Sequence, residues 1–223
     1  MQLNVIYGDT DSVMIDSGST DLVHVKEIGV AVRKEVNKLY KCLELDIDGI
    51  FKSMLLLKKK KYAAVTINER ADGSVYFEKE MKGLDLVRRD WCPLSKEAGK
   101  VVVEEILSGK PREEIVETIH AFIIELTRRA RAGEEDLSRF VVTKGLNKSP
   151  KDYPDCKGQA HLQVALKMMA DNRPVNIGDH IPYVICKEGS ETGALPAQRA
   201  HHPDEIRRSE GALTVWKLHL FVC

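Results

Sequence analysis

The sequence predicts an α+β protein, in which an antiparallel sheet with one packed helix is followed by a mainly helical region. Three observations support this fold class. Apolar and polar residues alternate around tight-turn sequences in the first 90 residues, as in antiparallel strands. One long helical period runs over residues 21–43. Beyond Asp90 the apolar residues recur mostly at helical spacing. The change near residue 90 predicts a boundary between residues 1–90 and a second domain beginning at residue 91.

The first region begins with a predicted hairpin over residues 3–16, whose turn lies in Gly8-Asp9-Thr10-Asp11. A helix is predicted over 21–43, capped by Ser19 or Thr20. Over residues 43–47 the apolar residues recur at every second position, which predicts a strand that ends at Asp48-Gly49. A long strand-forming run over 51–67 contains four lysines, and Asp72-Gly73 is a hairpin turn after which residues 75–77 pair back.

The second region reads as helices with short strands between them. Pro93 and Gly109 mark the ends of one helix, and Pro111 and Gly133 mark the ends of a second. A further helix is predicted over residues 159–170. Short strands are predicted over residues 140–143 and 174–186.

Composition restricts the function classes only weakly. Lys plus Arg equals Asp plus Glu at 34 each, so the net charge carries no nucleic-acid signature. The five cysteines are scattered without a C-x-x-C pair, which argues against a zinc site or a disulfide framework. No apolar stretch approaches 18 residues, so we expect a soluble intracellular protein without a membrane segment.

Asp9 and Asp11 are the first candidate chemical groups. Two carboxylates on a hairpin tip repel one another unless a cation neutralises them. Hard oxygen ligands without a nearby His or Cys favour Mg²⁺ or Mn²⁺ over zinc. An EF-hand loop is excluded because Met14 occupies the position where that loop requires glycine.

A second aspartate nearby allows a different interpretation. The segment Val13–Ser19 places Asp16-Ser17-Gly18 after an apolar run, as in an aspartic protease, where two aspartates share a proton and activate water. The alternative is that Asp16 belongs to an ordinary polar turn. We expect the turn.

The block Lys58–Lys61 with Tyr62 is the second candidate site. A strand would send these side chains alternately to both faces, so one face needs an anionic partner such as a phosphate backbone or minor-groove acceptors. The alternative is a solvated edge strand protected against aggregation. Lys82, Arg88 and Arg89 add positive charge after the next strand, and a structural ion-pair network remains an alternative for the arginines.

In combination, these motifs resemble the B-family DNA polymerases. The order Tyr7–Ser12, Lys58–Tyr62, then Lys82-Gly83 with Arg88–Asp90 matches the family's palm hairpin, lysine-tyrosine motif and palm-to-thumb junction. Residues 140–144 and 178–184 resemble the thumb. Within the family, Arg88–Ser95 is most similar to the eukaryotic alpha branch. The resemblance therefore implies a partial palm domain at 1–90, a thumb at 91–208 and a divergent tail at 209–223.

The resemblance also implies roles for individual residues. Asp11 would be the ligand of the Mg²⁺ ions that join the primer 3′-hydroxyl to the incoming triphosphate, and Asp9 would shape the site. Lys60 would contact minor-groove acceptors near the primer end. The remaining implied site residues are the supporting hairpin Tyr7, Gly8, Thr10 and Ser12, and the DNA-binding residues Lys59, Lys61, Tyr62, Lys82 and Arg88.

The implied activity is nucleotidyl transfer to a primer during nuclear DNA replication. Primer–template DNA and deoxynucleoside triphosphates would be the substrates, and primase with accessory subunits the further partners. The family also needs an upstream aspartate strand and a fingers helix, both expected before residue 1. We therefore expect residues 1–223 to lack polymerase activity alone, and a non-catalytic DNA-binding or interaction protein is the alternative.

Overall fold

The computed structural model describes residues 3–84, 86, 90–186 and 194–209. The chain divides into two compact units, residues 1–84 and residues 85–223. Arg88 and Arg89, and the tail beyond residue 209, lie outside the described residues.

The first unit contains two antiparallel sheets. Strands β1 (Asn4–Asp9) and β2 (Ser12–Asp16) form the predicted hairpin, and a three-stranded sheet has the order β3 (Ile50–Lys58), β4 (Lys61–Glu69), β5 (Val75–Lys82). The central strand β4 carries the buried apolar residues Tyr62, Ala63, Ala64 and Val65. Its pairing with β5 across the Asp72-Gly73 turn confirms the predicted second hairpin.

Helix α1 (Leu22–Leu39) is shorter than the predicted helix over 21–43. Its N-cap is Asp21, whose carboxylate accepts the N–H of Val23 at 3.0 Å, so the predicted caps at Ser19 and Thr20 were wrong. The predicted strand over residues 43–47 is also absent from this described segment. The Asn37 amide instead bonds both backbone groups of Leu45, at 2.9 Å and 2.6 Å, and replaces a strand partner.

The second unit is mainly helical, as predicted. Its helices are α2 (Pro93–Ile106), α3 (Arg112–Ala132), α4 (Ala160–Ala170) and α5 (Pro203–Ser209), and its strands are β6 (Val142–Gly145), β7 (His180–Ile185) and β8 (Ala200–His201). The three strands form one antiparallel sheet in that order. Gly133 ends α3 with φ 74°, in the left-handed conformation that a helix terminus of this kind favours.

Two apolar clusters support the second unit. One joins α2, α3, β7 and α5 through residues that include Leu94, Leu126 and Ile206. The other joins α4 to the sheet through Leu146, Leu162 and Ile181. Across the described parts of the chain, every helix is too short or too polar to span a lipid bilayer.

Candidate active site

The turn between β1 and β2 is unusually tight. Asp9 pairs with Ser12, leaving Thr10 and Asp11 as the loop, and the N–H of Asp11 donates to the carbonyl of Asp9 at 2.6 Å. Thr10 has φ 49°, a conformation that β-branched residues rarely adopt. A three-residue hydrogen-bonded turn with positive φ is strained, and such strain is concentrated at functional sites.

The two carboxylates of this turn have different surroundings. Asp9 is half-buried, and both of its oxygens have partners: Thr10 Oγ1 donates to Oδ1 at 3.3 Å, and the Lys60 Nζ lies 3.4 Å from Oδ2. The Asp11 carboxylate is exposed and has no hydrogen-bond or ion-pair partner within the described segments. Asp11 is therefore the carboxylate that is free to bind a ligand.

The residues present fit a magnesium ion, which keeps several waters and typically takes one or two carboxylates from a protein. Asp11 offers such a hard oxygen ligand, while Asp9 is already neutralised by Lys60. In the described residues, no group of three or more His, Cys, Asp or Glu side chains is close enough to form a complete metal cage. This turn therefore presents one carboxylate without a partner, that of Asp11, beside the ion-paired carboxylate of Asp9.

The lysine block does not lie inside a strand, and that prediction was wrong. β3 ends at Lys58 and β4 begins at Lys61, so Lys59 and Lys60 form the turn of a hairpin, here called the lysine turn. Lys60 has φ 62°, in the left-handed region. The lysine block therefore spans a hairpin tip, with Lys58 as the last residue of β3 and Lys61 as the first residue of β4.

Lys60 connects this tip to the first hairpin. Its backbone N–H donates to the phenolic oxygen of Tyr7 at 2.9 Å, in addition to the contact between its ammonium group and Asp9. Its side chain is 66% exposed, so the ammonium group faces solvent beside the turn Asp9–Asp11, here called the carboxylate turn. The structure thus brings the two sequence-predicted motifs, separated by about fifty residues, into contact.

The other predicted DNA-binding residues are distributed around this tip. Tyr62 is buried and packs edge-on against Phe51, with ring centroids 6.3 Å apart. Lys82 lies opposite Tyr62 in the β4–β5 register, and its Nζ is 2.6 Å from Glu80. The hydrogen bond to the Glu80 carboxylate raises the pKa of Lys82. Lys59 is exposed and Lys61 half-buried, and Arg88 lies outside the described residues.

The Asp16 segment forms a polar turn. Asp16 ends β2 and is exposed, and its carboxylate accepts the N–H of Gly18 at 2.9 Å. This geometry is that of an Asx-type turn, in which the carboxylate caps its own backbone. It favours the turn interpretation of Asp16 over the protease interpretation.

Sequence reasoning missed one residue of the site, Gly83. It follows β5 with φ 64°, and a Cβ placed on it would lie 1.8 Å from the carbonyl oxygen of Lys60. Only glycine permits this approach. The available signal was the Lys82-Gly83 pair itself, a glycine directly after a strand, which marks a close approach of two backbones.

Comparisons with known proteins find similarity along most of the chain. A family model described as DNA polymerase family B matches residues 1–217. The structure is similar to that of the family B DNA polymerase from the hyperthermophilic archaeon Pyrobaculum calidifontis, with a TM-score of 0.60 and 27% sequence identity, over 90% of this chain and 23% of that one.

Curated relatives are similar along nearly the whole chain. The DNA polymerase alpha catalytic subunit of Oryza sativa subsp. japonica is 47% identical over 214 residues, which is 94% of this chain and 14% of the relative. That of Mus musculus is 48% identical over 209 residues, which is 93% of this chain and 14% of the relative. The chain thus spans a small part of these relatives. The motif order, the fold and these matches together show that the chain belongs to DNA polymerase family B.

Proposed function

We propose that residues 1–90 are part of the palm and residues 91–208 the thumb of a replicative DNA polymerase of the alpha type, followed by a divergent tail at 209–223. The reaction would be the addition of deoxynucleotides to a primer 3′-hydroxyl. The observation that carries this proposal is the contact between the carboxylate turn and the lysine turn, made by Tyr7 and Asp9 with Lys60.

In this proposal Asp11 holds catalytic Mg²⁺, because its carboxylate is exposed and uncommitted. The family's two-metal chemistry supplies positive charge to the attacking and leaving oxygens of an in-line phosphoryl transfer. Asp9 serves a different purpose. It neutralises and orients Lys60, and Thr10 and Ser12 shape the turn around it through their contacts with Asp9.

Lys60 would donate from its ammonium group to minor-groove acceptors at the primer end. Those acceptors occupy similar positions in every base pair, so the contact senses pair geometry and carries little sequence information. Lys59 and Lys61 flank it on the same hairpin tip and would contact backbone phosphates. Tyr62 would stiffen the base of the tip through its packing against Phe51, and Lys82 would add positive charge beside it. Arg88, outside the described residues, stays a DNA-binding candidate on the motif resemblance alone.

The complete reaction needs the rest of the family's catalytic polypeptide, since the chain covers 14% of the relatives that it matches. For residues 1–223 alone we expect DNA binding without primer extension, which is the non-catalytic alternative. Within the longer protein we expect primer–template DNA and deoxynucleoside triphosphates as substrates. Primase and accessory subunits would be its partners in the nucleus.

The test is binding of the purified chain to fluorescent primer–template DNA by anisotropy over a range of salt concentrations. We expect affinity to fall steeply as salt increases, because phosphate contacts release counterions. Lys60→Glu should weaken binding at least tenfold, and Lys34→Glu, a charge reversal at an exposed position of α1, should weaken it much less. Absence of binding, or binding independent of salt and of Lys60, contradicts the proposal.

A further inference from the structure

Lys60 occupies a backbone conformation that its own side chain disfavours. With φ 62° it lies in the left-handed region, where a Cβ crowds the backbone. Turns that need such a residue ordinarily use glycine or asparagine. A lysine persists there only when its surroundings fix it, and an outlier of this kind at a candidate site calls for a functional explanation.

Two residues distant in sequence fix the backbone of Lys60 on both sides. Tyr7, from β1, accepts the Lys60 N–H at 2.9 Å. Gly83, which follows β5, lies against the Lys60 carbonyl so closely that a Cβ would meet the oxygen at 1.8 Å and the carbonyl carbon at 3.0 Å. The amide of this strained residue is therefore hydrogen-bonded to a side chain of β1, and its carbonyl is in close contact with the residue that follows β5.

We propose that Tyr7 and Gly83 are positioning residues that hold the Lys60 ammonium group in register with the Asp9–Asp11 turn. The proposal rests on the function proposed above, since it assumes that Lys60 contacts DNA. In this role both residues act through Lys60. Tyr7 transmits the position of the carboxylate hairpin to the lysine turn, and Gly83 prevents the turn from moving toward β5.

A comparison with Gly73 shows that Gly83 does more than allow the chain to turn. Gly73 also has positive φ, at 82°, but a Cβ there would meet nothing within 4 Å. Gly83 combines positive φ with a contact onto Lys60. Gly73→Ala is thus a control that introduces the same backbone strain without the clash, and Tyr76→Phe is a control for loss of a phenolic oxygen from an exposed strand.

The experiment compares Tyr7→Phe and Gly83→Ala with these two controls in the full chain. The first measurement is hydrogen exchange of the Lys60 amide by NMR. We expect at least tenfold faster exchange in Tyr7→Phe and Gly83→Ala, and less than twofold change in the controls. The second is primer–template affinity, which should fall three- to tenfold in the two test variants only.

A double-mutant comparison separates positioning from general destabilisation. In a Lys60→Ala background, Tyr7→Phe and Gly83→Ala should cause no further loss of affinity, because the positioned group is gone. The proposal would be overturned if each substitution weakened DNA binding by the same factor in the Lys60→Ala background as in the wild type. It would also be overturned by unchanged Lys60 exchange in Tyr7→Phe, which should fold normally even if Gly83→Ala does not.

Failure of the proposed function gives a different result. In that case wild-type protein does not bind DNA, or Lys60→Ala does not weaken binding, while Lys60 exchange still responds to Tyr7→Phe. Such a result would overturn the role of Lys60 in DNA binding. It would still show that Tyr7 fixes the backbone of Lys60.

Discussion

The carboxylate of Asp9 lies 3.4 Å from the ammonium group of Lys60, and the two side chains belong to different hairpin tips. The Asp9 side chain is 21% exposed, whereas that of Lys60 is 66% exposed. The pair therefore joins a half-buried anion to a cation at the surface. Asp9 limits where Lys60 can move, and it also cancels part of the positive charge that DNA would encounter.

Asp9→Asn should consequently strengthen non-specific DNA binding. The substitution keeps the shape of the side chain and removes the counter-charge of Lys60, so we expect two- to fivefold tighter binding at low salt and a steeper salt dependence. Anisotropy titrations at two salt concentrations measure this effect. Asp16→Asn, at the other end of β2, is the matched control and should cause no such change. Weaker binding by Asp9→Asn would mean that Asp9 orients Lys60 more than it neutralises it.

Asp11→Asn should remove metal binding, while Asp9→Asn should largely retain it. The reason is that Asp11 offers free carboxylate oxygens and Asp9 does not. Paramagnetic broadening of backbone amides by Mn²⁺ is the measurement, with the amides of Thr10 and Ser12 as reporters. The opposite ranking of the two variants would exchange the roles assigned to these aspartates.

Leu162→Ala should destabilise the second unit substantially. Leu162 is fully buried between α4 and the sheet, and truncation of such a leucine costs about 2–5 kcal/mol of unfolding free energy. Both tryptophans of the chain, Trp91 and Trp216, follow residue 84, so tryptophan fluorescence during urea unfolding reports on this unit. Ile124→Ala, at a position 70% exposed, should change stability little.

The second unit should also lose stability in mild acid because of His161. The residue is 2% exposed, and burial, aided by Lys144, lowers its pKa from 6.5 to about 4. Burial also lowers the pKa of His202. A histidine whose pKa is lower in the folded state stabilises the fold fully above the unfolded value of 6.5. That stability disappears as the pH falls toward 4, and for His161 the loss is roughly 3 kcal/mol.

His161→Phe separates this effect from other acid effects. The ring of Tyr153 meets that of His161 edge-on, with centroids 6.2 Å apart, and phenylalanine preserves such a contact. We expect the variant to lose less stability between pH 6.5 and pH 4 than the wild type in urea titrations. His120→Gln, at an exposed position of α3, should follow the wild type. Identical pH profiles for His161→Phe and wild type would show that His161 titrates normally.

The parts of the fold that the sequence predicted correctly are those with local signals. The first hairpin carries Gly-Asp-Thr-Asp between apolar alternations, and α3 has Pro111 before it and Gly133 after it. The lysine turn has no such signal, because neither glycine, proline nor asparagine interrupts Lys58–Lys61. Its conformation depends on tertiary contacts from Tyr7 and Gly83. The strand predicted over residues 43–47 was wrong for a related reason. The Asn37 side chain, and not a neighbouring strand, bonds the N–H and the carbonyl of Leu45.

The last prediction concerns two adjacent glutamates after α3 that have different surroundings. The Glu135 side chain is 6% exposed and lies between two arginines, 3.3 Å from Arg129 and 2.9 Å from Arg139. Arg139 continues to Glu97 of α2 at 2.6 Å. Glu134 is 47% exposed and pairs with Arg128 at the surface. The ion pairs around Glu135 join α2, α3 and the segment between α3 and β6. The ion pair of Glu134 connects only residues near the end of α3.

Glu135→Ala should therefore destabilise the second unit by about 2–4 kcal/mol, because it removes the buried carboxylate that Arg129 and Arg139 both contact. Glu134→Ala should leave the free energy of unfolding nearly unchanged, since exposed ion pairs contribute little. Urea unfolding followed by tryptophan fluorescence distinguishes the two variants, which differ by one position in the chain. Equal effects would show that solvent screens both networks alike, so that Glu135 contributes no more to the junction of α2 with α3 than a surface residue does.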